Sequence, residues 1–300
     1  MIPKILTCAI CGAGSSYKVL YKKSFNDKSH LNTKVFSARR SPDRVHGTII
    51  KCDSCGLVRT KEKIESSTLE ALYRQSKFTY KTQIKNLIRS YSNIISDNVS
   101  IIPQRQSYLE IGCGSGFLFQ AVSKLGFTKI YGVEPSEDAV KKSSPQYRKN
   151  IKVGILKPGL FPDSSFDLIC AFQVFDHLPD PSNFLKICHK LLKPDGVLLL
   201  MNHNVDAFFA KLLGDKNAIF DIEHTYLYSP KTIQIILEKN RFKVVRSYSP
   251  SAFMSLRYIA RLLPLPHFLK NWTQLLQSRL IDTDIKIKPG NLAVFSVKKK

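Results

Sequence analysis

No stretch of this 300-residue chain approaches the roughly 20 uncharged apolar residues needed to cross a bilayer, so no transmembrane segment is expected. The opening segment MIPKILTCAIC has too short an apolar part for a secretory signal and runs straight into cysteines, which predicts a cytoplasmic protein. No internal repeat is present. Acidic residues are scarce, 23 Asp and Glu against 46 Lys and Arg, for a formal net charge of +23. The imbalance is densest at the start, with 19 basic against 7 acidic residues in 1–105 and 27 against 16 in 106–300. Such a field attracts nucleic acid, anionic lipid head groups or phosphorylated substrates. No compact Arg/Lys cluster with interleaved aromatics stands out, however, and a solvated basic surface accounts for the charge as well. What the chain does have is material for a core: 43% hydrophobic and 10% aromatic residues exclude a disordered protein. Its length suits one α/β domain of roughly 200 residues plus a smaller module.

Residues 1–60 are rich in Cys, Gly, Ser and basic residues, with short β-like runs such as Ile49-Ile50. Residues 65–102 read as helical: Ser67-x-x-Glu70 has capping-box spacing, and Ile84, Leu87, Ile88, Tyr91, Ile94 and Ile95 recur at helical intervals until Pro103. From residue 107 strands and helices alternate. Strands are expected over 107–111, 129–133, 152–155, 166–172, 197–202, 243–249 and 292–298. Helices are expected over 116–125, 136–143, 182–192 and 229–240, with a Pro194-Asp195-Gly196 turn closing the third and Ser229-Pro230 opening the fourth. This alternation predicts a doubly wound, mostly parallel sheet.

The segment Tyr108-Leu-Glu-Ile-Gly-Cys-Gly-Ser-Gly-Phe117 is a strand, a tight glycine turn and a helix start. Gly112, Gly114 and Gly116 permit positive φ and close approach of a ligand to the backbone. The spacing is G-x-G-x-G, not G-x-G-x-x-G, since position 117 is Phe. Glu110, just before the loop, would repel a pyrophosphate and suits a cationic ligand. Glu134 ends the next strand, 18 residues after Gly116, close to the offset of about 20 at which an acid grips ribose hydroxyls. S-adenosylmethionine, with a sulfonium, an ammonium group and no phosphate, meets these demands.

On these residues, over about 106–250, the chain resembles the class I S-adenosylmethionine-dependent methyltransferases. The resemblance implies a Rossmann-like, seven-stranded, mostly parallel sheet whose last strand is antiparallel. It also implies cofactor-binding roles for Glu110, Gly112, Gly114, Gly116 and Glu134. The segment Phe166–Leu178 resembles the family's fourth strand and following turn, so that Gln173 would line the cofactor pocket and His177 would begin the next element. Leu191–Leu200 resembles the helix, turn and strand that follow. Many relatives place an acid after the third strand to bind adenine; between Val153 and Leu160 there is none, and the adenine contact stays unassigned.

Seven cysteines are present, and four form two matched pairs, Cys8-x-x-Cys11-Gly12 and Cys52-x-x-Cys55-Gly56. Two such knuckles supply four soft ligands in a tetrahedron, which suits a structural Zn²⁺ in a small zinc-ribbon-like module. His30 or His46 could replace one thiolate, against the symmetry of the pairs. Cys113, Cys170 and Cys188 read as packed residues. The pairing of this module with the methyltransferase-like segment resembles bacterial enzymes acting on sugars, polysaccharides and related metabolites, and an rRNA guanine methyltransferase group.

The chain thus divides into a zinc-binding module (1–62), a helical linker or cap (63–105) and an S-adenosylmethionine-binding domain (106–300) with a helical insertion at about 251–288. In that insertion Phe253, Leu256, Ile259, Ala260 and Leu263, then Trp272, Leu275, Leu276 and Leu280, form an apolar stripe. The stripe fits a helix packed on the sheet, a lid, or a peripheral membrane contact. Acceptor-side candidates at the strand ends are His177, Asn202, His203, Asp206, His224 and Tyr226, with His224 and then His177 as base or acceptor ligand. The expected function is methyl transfer to a small-molecule or lipid-linked acceptor such as a sugar or polysaccharide precursor. The alternatives are an RNA methyltransferase and a non-catalytic cofactor-binding scaffold.

Overall fold

The computed structural model of the chain describes residues 7–13, 16–25, 45–62, 64–77, 83–263 and 283–299. Strands β1 (Tyr17–Tyr21), β2 (Ile49–Cys52) and β3 (Val58–Thr60) follow the first knuckle, then helices α1 (Ser66–Arg74) and α2 (Ile84–Ser96). The alternating part comprises β4 (Ser107–Ile111), α3 (Phe119–Ser123), β5 (Lys129–Glu134), α4 (Glu137–Lys141), α5 (Pro145–Arg148) and β6 (Ile151–Val153). It continues through β7 (Phe166–Phe172), α6 (Pro181–Leu191), β8 (Leu192–His203), α7 (Phe208–Leu213), β9 (Tyr226–Leu227), α8 (Pro230–Lys239) and β10 (Phe242–Tyr248). The last elements are β11 (Ala252–Ser255), α9 (Leu256–Leu262), β12 (Asp284–Ile287) and β13 (Asn291–Lys298).

Seven strands form the main sheet in the order β10-β13-β8-β7-β4-β5-β6. Strands β4 to β8 run parallel, and β13 is antiparallel to both its neighbours. This is the doubly wound, mostly parallel sheet that the alternation predicted. Its central strands β4 and β7 are buried along their whole length because both faces are covered. Side chains alternate strictly between two cores: Leu109, Ile111, Ile169, Ala171, Leu198 and Leu200 pack on one face. Tyr108, Leu168, Cys170, Val197, Leu199 and Met201 pack on the other, with α2 and α3. Strand order reverses at β4, so its carboxyl end and that of β7 open the crevice where α/β sheets bind ligands.

Local chemistry explains where the elements begin. Asp180 caps α6 through Asn183 N at 3.0 Å, with Pro181 in the first turn. Ser229 and Thr232 form a reciprocal capping box at the start of α8. The expected box at Ser67 and Glu70 is not formed: α1 starts after Glu65 without a side-chain cap, and Glu70 instead pairs with Lys157 at 3.0 Å. The helix expected from Gly116 starts only at Phe119, since Gly116 has φ +66°, incompatible with a right-handed turn. The Pro194-Asp195-Gly196 turn is absorbed into β8 as an irregularity, with pairing stepping from Phe166–Leu192 to Leu168–Val197.

The insertion is not helical throughout. Ala252–Ser255 pairs antiparallel with Asp284–Ile287, so Phe253 lies on a strand and the helix begins at Leu256, capped by Ser255. Trp272, Leu275, Leu276 and Leu280 lie outside the described residues. The strand pair is tied to α2: Phe253 N donates to Ser90 Oγ at 2.9 Å, and the Arg89 guanidinium lies 3.5 Å over the Phe253 ring.

The cysteine-bearing segment shares the core of the large sheet. Its sheet has the order β1-β2-β3-β9, so its last strand comes from residues 226–227. Cys8, Ile10, Cys52 and Leu57 belong to one apolar cluster with Tyr226, Tyr228 and the buried face of α8, and Lys239 Nζ donates to Ile10 O. Thr60 Oγ1 donates to His224 O at 2.9 Å, and Thr60 N to Thr225 O at 3.0 Å. The module therefore holds the loop that carries His224.

Candidate active site

The glycine loop folds back over the end of β5: Gly112 N donates to Val133 O at 2.8 Å. Gly112, Gly114 and Gly116 have φ of +72°, +57° and +66°. A Cβ on Gly112 would lie 2.5 Å from Val174 Cγ2, so side chains are excluded there twice, by conformation and by space. Glu134 anchors the loop. Its Oε2 accepts Gly114 N and its Oε1 accepts Ser136 N, both at 2.8 Å. Each oxygen keeps a lone pair for a further donor. Burial pushes its carboxyl upward against these two hydrogen bonds.

Glu110 is 1% exposed and accepts one hydrogen bond, from the Tyr108 hydroxyl at 3.1 Å. Burial raises its carboxyl to about 8; Tyr108 opposes the rise and the negative charge of Glu134 adds to it. Two desolvated carboxyls facing one cavity favour a ligand with positive charge. Gln173 has φ +56°, unusual for a residue with a side chain. Its Nε2 donates to Asn291 Oδ1 at 3.1 Å, and its buried Oε1 has no hydrogen-bond partner.

Glu110, Gly112, Gly114, Glu134 and Gln173 line a cavity of about 1010 Å³, whereas Gly116 does not and makes room instead for the Phe119 ring. Gly154, Ile155 and Leu156, in the stretch that lacks an acid, also border it. Cys113 is packed against Gly132, and burial pushes its thiol well up, which removes it as a nucleophile. Cys170 and Cys188 are buried with their thiols likewise raised.

The far wall of the same cavity carries His177, His203 and His224. They gather around Asp176, which lies wholly buried behind them and which sequence reasoning missed. The Nε2 atoms of His177 and His224 lie 3.8 and 3.9 Å from the Oδ1 and Oδ2 atoms of Asp176. The rings of His177 and His203 lie 4.7 and 5.0 Å from that of His224. Burial, with His203 nearby, lowers His177 to about 3, so its imidazole is neutral and makes no ion pair with Asp176. Burial raises Asp176 to about 7. The Tyr73 hydroxyl, from α1, is hydrogen-bonded to His177 Nδ1 at 2.9 Å. Of the other candidates, Asn202 is buried within β8, Tyr226 within the module core, and Asp206 is exposed and paired with Lys211 at 3.0 Å.

The four knuckle cysteines converge, with Sγ atoms 3.4 Å apart for Cys8 and Cys55, 3.3 Å apart for Cys11 and Cys52, and all four within 4.8 Å. The two turns are superimposable in their bonding: Gly12 N to Cys8 O at 2.8 Å matches Gly56 N to Cys52 O at 2.9 Å. Gly12 and Gly56 have φ of +76° and +79°. Burial opposes ionisation of Cys52, but the N–H groups of Cys55 and Ser54 and the adjoining thiols outweigh it and bring the thiol to about 7. Desolvation pushes Cys8 and Cys55 upward. Four bonds of about 2.3 Å at tetrahedral angles need sulfurs about 3.8 Å apart, a small relaxation from this geometry. His46 takes no part: its Nδ1 is hydrogen-bonded to Gly47 O at 2.8 Å, while His30 lies outside the described residues.

A family described as "Methyltransferase domain" matches residues 82–247, more than half of the chain. Among curated proteins, the ubiquinone biosynthesis O-methyltransferase of Caulobacter vibrioides is 32% identical over 105 residues, 32% of this chain and 40% of that protein. The mitochondrial ubiquinone biosynthesis O-methyltransferase of Dictyostelium discoideum is 23% identical over 165 residues, 49% of this chain and 51% of that one. The match therefore spans about half or less of these relatives. In fold, a chain of the Haloferax volcanii complex between the Trm112 methyltransferase activator and a methyltransferase is similar with a TM-score of 0.52 at 16% identity, covering 73% of this chain and 95% of that one. The Bacillus subtilis YcgJ protein is similar with a TM-score of 0.50 at 18% identity, covering 70% and 99%.

Replacing Glu110 with Gln removes a carboxyl held near 8 in the folded chain and near 4.5 when unfolded. Only the unfolded wild type then sheds this proton as pH rises between those values, so its stability falls across that window. Urea midpoints are expected to shift in favour of Glu110→Gln progressively from about pH 5 to about pH 8 and level off above. A pH-independent difference would contradict a buried, neutral Glu110.

Proposed function

Because the chain belongs to the class I S-adenosylmethionine-dependent methyltransferases, we propose that it transfers a methyl group from that cofactor to a small-molecule acceptor held against His177, His203 and His224. The observation that carries this reading is the single cavity with the Glu134-anchored glycine loop on one wall and the histidine cluster on the other. The cofactor supplies a methyl group already activated by its sulfonium, which leaves the protein to align the acceptor and, for a hydroxyl, remove a proton. Glu134 accepts the ribose hydroxyls on its free lone pairs. Gly112 and Gly114 let the methionine portion approach the backbone, Glu110, neutral in the empty cavity, ionises beside its positive charge, and Gln173 Oε1 accepts a donor from it. His177, lowered to about 3, is too weak a base for neutral pH and serves as a neutral contact; His224 faces the acceptor.

The lining around the acceptor end supports an acceptor with a substantial apolar part, lipid-linked or ring-bearing. Phe253, Met254 and Ile259 of the insertion border the cavity with Phe209 and Leu213 of α7. On the same helix Phe208 and Leu212 are 71% and 63% exposed, which extends the apolar surface outward. The names of the curated relatives support oxygen as the atom methylated. A sugar precursor fits this reading when carried on a lipid. RNA fits less well, because Lys77 and Lys288 are the only lysines or arginines bordering the cavity among the described residues.

The same reading assigns a structural zinc ion to Cys8, Cys11, Cys52 and Cys55. Arg59 supports it. This side chain is 1% exposed with its Nε unpartnered, and both its charge and Cys8 act on the Tyr226 hydroxyl. A tetrathiolate carrying net negative charge nearby would compensate a buried guanidinium.

Calorimetric titration of S-adenosylhomocysteine is expected to show binding to wild type that Glu134→Ala weakens by about 2 kcal/mol, the scale of hydrogen bonds to a charged group. No binding to folded wild type would overturn the cofactor assignment. For the knuckles, Cys52→Ser is expected to lose one zinc per chain and at least about 5 °C in Tm. Unchanged zinc content by mass spectrometry would contradict the assignment.

A further inference from the structure

We infer that Asp176, His177 and His224 form a binding site for a first-row divalent metal ion at the acceptor end of the cavity. One ligand atom from each lies within 4.8 Å of the others. The two imidazole Nε2 atoms approach opposite oxygens of one carboxylate, at 3.8 and 3.9 Å. Two bonds of about 2.1 Å reach across separations of up to about 4.2 Å, so an ion can bridge either histidine to the carboxylate, and bonding to all three needs the side chains to draw together slightly.

Two further observations point to a cation. Asp176 is 0% exposed, yet its Oδ1 has no hydrogen-bond partner and its Oδ2 accepts His203 N at a long 3.5 Å. A buried carboxylate left in that state is costly unless a positive charge completes it. Second, His177 already has the arrangement of a metal ligand: its Nδ1 is held by the Tyr73 hydroxyl, and its Nε2 is turned to the carboxylate. Such an outer contact fixes the tautomer and orients the ring. Two imidazoles and one carboxylate suit zinc, iron(II), cobalt(II) or manganese(II) better than calcium or magnesium. The ion would bind an acceptor presenting oxygen donors, such as adjacent hydroxyls. That role rests on the methyl-transfer reading; ion binding itself does not.

Metal-stripped full-length protein titrated with Co²⁺ separates this site from the knuckles. The expected result is two equivalents. One gives strong thiolate-to-cobalt charge-transfer absorption, and one adds only weaker d–d bands. Asp176→Asn and His224→Ala should each abolish the second and keep the first, whose signal certifies the fold. Tyr73→Phe, on a helix outside the ligand set, should weaken the second site roughly tenfold or more and leave the first unchanged. Wild type that takes up only the thiolate-bound equivalent, or a second equivalent that survives in all three variants, overturns the proposal. Titration of the same samples with S-adenosylhomocysteine keeps the two readings apart: two cobalt ions bound without it sustains the metal site and overturns the cofactor assignment.

Discussion

Two hydrogen bonds to one buried carboxylate hold the binding end of this molecule together. Glu134, at the last position of β5, accepts Gly114 N and Ser136 N, and so clamps the glycine loop after β4 to the start of α4. Without it two buried N–H groups would lose their partners, at about 1–3 kcal/mol each. The loop's three positive-φ glycines would also lose the contact that selects their conformation. The clamp sits where strand order reverses, so loop, carboxylate and cavity mouth coincide. Burial raises both Glu134 and Glu110, a cost that a cationic ligand reduces.

A second constraint comes from the N-terminal segment. β3 recruits β9 as its neighbour, and Thr60 binds the backbone at His224 and Thr225. The cysteine knuckles feed the same apolar cluster as Tyr226, Tyr228 and α8. Order in the knuckles is thereby transmitted to the loop that presents His224 through a strand pairing and a shared core. α1 braces the same histidine wall by delivering Tyr73 to His177, and on the glycine-loop wall Ser136 Oγ donates to Ser76 O at 2.9 Å. Both ends of the cavity thus depend on segments outside the alternating strands and helices.

Much of this was legible in the residues. β4 and β7 match the limits expected from their largely apolar runs, because strands covered on both faces admit few polar residues, here Ser107, Glu110 and Asp167. The glycines and paired cysteines declare backbone demands that few other residues meet. Less legible were features created by tertiary contact. β9 is only two residues long and becomes a strand because β3 needs a partner. Phe253 fits a helical stripe, yet pairing with Lys286 makes it a strand residue. Asp176 precedes His177 directly, but nothing local shows that two distant histidines converge on it. Tyr73 looks like one more apolar position of α1 until the fold places its hydroxyl on His177.

A crystal structure of the protein with S-adenosylhomocysteine tests the role of Glu134 in cofactor binding. The ribose hydroxyls are expected on the Glu134 carboxylate, with its bonds to Gly114 N and Ser136 N kept, and the sulfur directed toward the histidine wall. A ligand bound elsewhere, or a Glu134 side chain turned away from the glycine loop to admit it, would contradict that role.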